Sequence, residues 1–268
     1  KLLNPENRSF VDCQFNELIL EGITFDQKQW KNCQFNNCQI RNCIFKTCIF
    51  SNGTFLKNCS LDNNQFQLCI FNGCRLYGIS AVHNDTQYIN CEFIDMLISI
   101  EMDYGSFRGC NYEAFKLDDA YIKNTRFENE NMTPNNDRVS FHSTKFAFCN
   151  FNGAIMKFIE MVKETRGYNY DSDEETDYDT DDYCDFQDCS FVGTNFTYGN
   201  LENARFTDCE FIETIFTNSN LRNVRISESR LVGIDFSNAS VTQELMIDGR
   251  YYNVGERENE DDEQNMGF

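Results

Sequence analysis

The chain has 268 residues, 43 acidic against 23 basic side chains, a net charge of −20 and fourteen cysteines. It is long enough to bury a large core. No run of eighteen apolar residues is present, so no membrane-spanning helix is expected, and an excess of acid without a basic stripe argues against direct nucleic-acid binding. No signal peptide is visible. Residue 1 is Lys rather than Met, so the chain is expected to be part of a longer protein.

A bulky apolar residue recurs every five positions from Phe10, through Phe15, Leu20, Phe25, Trp30, Phe35, Ile40, Phe45 and Phe50 to Phe55. After a one-residue slip the count resumes at Leu61, Phe66, Phe71 and Leu76. Shorter runs follow at Tyr88–Ile98, Phe107–Phe127 and Phe141–Met156, and the last block runs from Phe186 to Met246. A period of five fits neither a helix nor an alternating strand. The residue two places before each bulky one is mostly Cys, Gly, Ala, Ser, Thr, Val or Ile, and the other three are polar. A chain that turns a corner every five residues meets this pattern. Four pentads close a square coil, and coils stack about 4.8 Å apart so that each buries its neighbour's apolar side. The 39 bulky positions make nearly ten coils of an all-β solenoid, a single elongated domain over 1–247.

Gly199-Asn-Leu201, Ala204-Arg-Phe206, Ser219-Asn-Leu221 and the weaker Ala239-Ser-Val241 resemble the pentapeptide-repeat family, whose consensus is A-[DN]-L-x-x. The resemblance spans roughly residues 10–246 and implies a right-handed quadrilateral β-helix of about ten coils. Cys stands where the family prefers Ala, and Phe outnumbers Leu.

All fourteen cysteines occupy the small slot, two residues before a bulky one, as in Cys33-Gln-Phe35 and Cys209-Glu-Phe211. They are read as small buried hydrophobes, not as disulfides or zinc ligands, because four pentads spread them round the coil. A large reduced set points to the cytoplasm. No cofactor or metal is expected.

The count breaks at 77–87, read as a small loop or bulge, and shifts between Ile98 and Phe107. It breaks again at 128–140, a polar surface loop with Pro134, and at 157–185. Residues 154–162 keep apolar groups at helical spacing and are expected to form a short amphipathic helix. Residues 163–185 hold ten acids and two bases, net −8. Such a run repels itself and is expected to be a solvated acidic insertion. Its sharper reading is a docking strand for a basic partner, through Tyr170, Asp171, Asp173, Glu174, Glu175, Asp177, Tyr178, Asp179, Asp181 and Asp182. Asp171, Asp173 and Glu175 lack the Gly and the terminal Glu of a calcium loop. The tail 248–268 carries net −5, and a short cap is expected at 241–247. The family resemblance implies a homodimer through this end, with Leu245, Met246, Ile247, Tyr251 and Tyr252 as contacts.

No catalytic motif is present, and both histidines, His83 and His142, are read as surface residues near repeat boundaries. The chain is expected to be a non-enzymatic binding protein. The family resemblance implies a DNA mimic acting on DNA gyrase or another type II topoisomerase. The alternative is a rigid protein-interaction scaffold, or an effector or immunity module, whose acidic insertion docks a basic partner. Insertion and tail together leave −7 on the rest of the chain, only mildly acidic for a duplex mimic.

Overall fold

The structure is a computed structural model and describes residues 7–118, 120–133, 139–157, 159–162, 184–241, 245–247 and 250–252. The tyrosines and acids proposed as a docking strand, Tyr170 to Asp182, lie outside the described residues.

The pentads fold into short parallel strands, and each pairs with a strand about one coil away in sequence. Four walls result. The inward residues of the first wall stack as Phe10, Trp30, Phe50, Phe71, Phe93 and Tyr112. The second stacks Phe15, Phe35, Leu56, Leu76, Ile98, Leu117, Phe141 and Met161. The third runs Leu20, Ile40, Leu61, His83, Met102, Ile122, Phe146, Phe186, Phe206, Ile226 and Ile247. The fourth begins Phe25, Phe45, Phe66, Tyr88 and Phe107. In-register parallel pairing puts like on like. Aromatic rings therefore stack along the axis, as at Phe127–Phe151 with centroids 4.9 Å apart and Phe146–Phe186 at 4.7 Å. Each buried ring contributes roughly 1.5–3 kcal/mol, and the walls exclude water only as a stack.

Several breaks in the count take a different form from the expectation. Leu56, not Phe55, continues the second wall, in register with Phe35 and Leu76, so the slip falls one pentad earlier. Residues Arg75–Asn84 form one continuous strand with a register shift between Tyr77 and Val82. Gly78 is required there: its φ is 129°, and a Cβ would stand 2.0 Å from Asn58 Oδ1. Leu97–Asp103 is also one strand, burying Ile98, Ile100 and Met102 alternately. Residues 128–133 and 139–140 belong to the coil, with Met132 and Val139 both fully buried, while the centre of the expected loop, 134–138 with Pro134, lies outside the described residues.

The amphipathic helix expected over 154–162 is not formed. Met156 and Met161 keep the pentad count, and Glu160–Val162 pairs with Ser140–His142. A helix would have left the edge of the preceding coil unpaired. Phe186 then follows Phe146 on the third wall, so the chain returns to the stack at Cys184. At the far end Ile247, not Met246, is the partner of Ile226. Leu245–Ile247 is paired on both sides, parallel to Arg225–Ser227 and antiparallel to Arg250–Tyr252.

Candidate interaction surface

Where the chain turns, the residue two places after an inward one makes the corner, and its φ lies near +50° at Asp12, Asn32, Asn42, Asn63 and Asp188. Asn, Asp and Gly tolerate this left-handed conformation best, which explains why polar residues follow each bulky one. Outside the walls, stacked amides bond from coil to coil, as in Asn36 to Asn16 at 2.8 Å and Asn63 to Asn42 at 2.9 Å.

Large apolar residues hold four of these positive-φ corners: Leu68, Tyr104, Phe148 and Tyr198, exposed by 59%, 61%, 59% and 54%. Tyr104 and Phe148 share one edge, between the third and fourth walls, with Asp85, Asn124 and Asp188. On the third wall Tyr121, also exposed, stands in register between Glu101 and Lys145, and the Lys123 amine lies 4.4 Å from its ring centre.

The wall charges are partly neutralised within the chain. Lys123 pairs with Glu101 at 2.6 Å, Arg230 with Glu210 at 2.7 Å and Arg41 with Asp62 at 3.4 Å. One row of the third wall reads Lys145, Asp185, Arg205, Arg225.

The small inward slots are hydrogen-bonding positions. Buried thiols donate to the carbonyl of the inward residue one coil away, Cys33 to Phe10 at 3.4 Å and Cys184 to Phe141 at 3.1 Å. Thr194 and Thr214 do the same to Phe151 and Phe191. All fourteen cysteines are free and only Cys13 is not fully buried. Burial pushes the Cys74 and Cys184 thiols up to about 12, which keeps them protonated.

Two inward groups escaped the sequence reading. Glu130 fills a small slot, 1% exposed, and accepts the amides of Gly109 and Cys110 and the hydroxyl of Tyr112. His83 is not a surface residue but an inward one, stacked between Leu61 and Met102, and burial pushes its imidazole down to about 3. The signal was present: His83 lies five residues before Tyr88, and Glu130 two before Met132, itself five after Phe127.

Among the described residues no three metal-ligating side chains converge, and no helix is long and apolar enough to cross a membrane. Of the residues expected at a dimer contact, Ile247 is buried in the chain's own core.

The chain is similar in fold to HetL, a pentapeptide repeat protein involved in heterocyst differentiation regulation from the cyanobacterium Nostoc sp. strain PCC 7120. The identity is 11% over 92% of this chain and 94% of that one, with a TM-score of 0.45. QnrB1, a plasmid-mediated fluoroquinolone resistance protein, aligns at 15% identity over 85% and 93%, with a TM-score of 0.34. The pentapeptide repeat protein Rfr23 from the cyanobacterium Cyanothece 51142 aligns at 10% identity over 90% and 92%, with a TM-score of 0.14. No curated protein matches the sequence. Residues 182–243 match the family model described as a pentapeptide repeat region. That segment carries a pentapeptide repeat region, and the same four-walled pentad geometry begins already at Phe10.

Proposed function

We propose that the protein is a non-enzymatic rod that binds a protein partner along its outer wall. The observation that supports this is the placement of Tyr104, Phe148, Tyr121 and Tyr198 in solvent while the interior is closed by stacked rings. Exposed aromatics on a convex polar surface mark macromolecular contacts rather than small-molecule sites. The acidic insertion, through Tyr170 to Asp182, supplies a second docking element for a basic partner in this reading, and the C-terminal residues a self-association surface.

Mimicry of duplex DNA toward a type II topoisomerase is the second reading. The net charge of −20 favours it. The paired wall charges and the row Lys145, Asp185, Arg205, Arg225 weigh against it, because a duplex presents uninterrupted anions. A gyrase supercoiling assay with and without a quinolone, at two salt concentrations, separates the readings. The protein-partner reading expects no effect at tens of micromolar. Inhibition or drug protection that weakens with salt would replace it with mimicry.

A further inference from the structure

We infer that the edge between the third and fourth walls, from Asp85 to Asp188, docks an arginine-bearing segment of a partner protein. This rests on the binding-rod reading and names the surface and the partner's chemistry.

The edge carries one corner residue per coil: Asp85, Tyr104, Asn124, Phe148, Asp188. Tyr104 and Phe148 are 61% and 59% exposed, at φ 52° and 54°. A β-carbon disfavours that conformation, and the other described corners of this edge are filled by Asn, Asp, Glu or Gly. Neither ring closes the core, so packing does not account for them. They stand two coils apart, about 10 Å, with the short Asn124 between. That leaves room for a planar cation in contact with either ring.

At the two ends of the ring pair the charge selects a cation, while between them Lys123 is held by Glu101 and Arg126 stands on the fourth wall. Asp85 and Asp188 bound the pair as exposed carboxylates, and Asp208 follows on the next coil. Arginine satisfies both elements at once, stacking on an aromatic face and bonding a carboxylate in bidentate fashion. The adjoining third wall already shows a cation over an aromatic face, where Lys123 lies over Tyr121. Phosphate would be repelled by the same carboxylates. Asp85 to Asp188 spans four coil rises, about 19 Å, the length of roughly six extended residues. The matching segment therefore carries Arg near both ends of a six-residue stretch, with an apolar residue between.

The test titrates the full chain with a fluorescent peptide Arg-Gly-Leu-Leu-Gly-Arg, its lysine counterpart and a short DNA duplex, at low salt. The arginine peptide is expected to bind more tightly than the lysine one, and duplex DNA not at all. Tyr104→Asn with Phe148→Asn is expected to weaken the arginine peptide about tenfold. Leu68→Asn with Tyr198→Asn, at corners of other edges, is expected to leave it unchanged. Asn suits positive φ, so both double variants should unfold at or above the parent's temperature, which separates lost binding from lost folding. Binding that is absent, or insensitive to the Tyr104/Phe148 pair, overturns the edge. Insensitive binding leaves the rod reading intact, whereas gyrase inhibition would remove the rod reading itself. DNA binding lost in the same double variant would assign the edge to nucleic acid instead.

Discussion

The Tyr112 hydroxyl donates to Oε2 of Glu130 at 3.0 Å, both groups buried in the first wall one coil apart. Glu130 also takes the Cys110 amide at 2.9 Å, so a carboxylate stands next in a column whose preceding slots hold Cys69, Cys91 and Cys110. Burial, the Cys110 thiol and the Glu130 charge together push the Tyr112 phenol well up. Glu130→Ala would leave these donors unpaired. It is expected to cost about 3 kcal/mol or more, read as a lower urea midpoint, with Glu130→Gln losing less. Equal stability of the alanine variant would show that water replaces the carboxylate.

His83 makes stability depend on pH. Its folded pKa, pushed down to about 3 by burial, lies below the unfolded value of 6.5. The unfolded imidazole binds a proton below about 6.5 and the folded one does not. The contribution is therefore fully present above that pH and falls as pH drops toward about 3, by up to ~1.4 kcal/mol per unit. His83→Leu should flatten the difference between pH 7 and pH 4 in thermal melts. Parallel curves for parent and variant would refute the assignment.

Tyr88 stacks on Phe66 at 5.1 Å and on Phe107 at 4.9 Å, and its buried hydroxyl has no partner among the described residues. Tyr88→Phe removes an unsatisfied group without changing the stack, and should stabilise by about 1 kcal/mol. A loss of stability on chemical denaturation would mean that the hydroxyl is bonded to an internal water.

The thiols should divide by exposure. With Cys13 alone not fully buried, a maleimide added to the native protein is expected to label one site quickly and the others only on unfolding. Mass spectrometry locates the label, and rapid modification of Cys33 or Cys189 would contradict the packing described.

Inward and corner positions should respond oppositely to the same charge. Phe206 is fully buried, so Phe206→Asp is expected to abolish cooperative folding. Asn203 turns a corner at φ 65° and accepts from Asn223 at 3.1 Å. Aspartate keeps both that conformation and the acceptor oxygen, so Asn203→Asp should change stability by less than about 0.5 kcal/mol.

The pentad spacing by itself determined the stacked square coil, the inward Phe and Cys, and the polar corners, because each follows from a local rule. A bulky residue must be buried, a small one must fit beside it, and a corner at positive φ favours Asn. What the spacing could not determine is register across coils. Phe55 and Leu56 are both apolar, as are Met246 and Ile247, and only pairing with Leu76 and Ile226 decides which one faces inward. The apolar spacing of 154–162 suits a helix equally well, until the open edge of Ser140–His142 claims Glu160–Val162 as a strand. Tyr104 and Phe148 are remote in sequence, with irregular pentads between them, so their shared edge exists only once the coils are stacked. The tertiary structure decided these points because backbone pairing between coils is long-range, whereas the five-residue pattern records only which side chains must leave water.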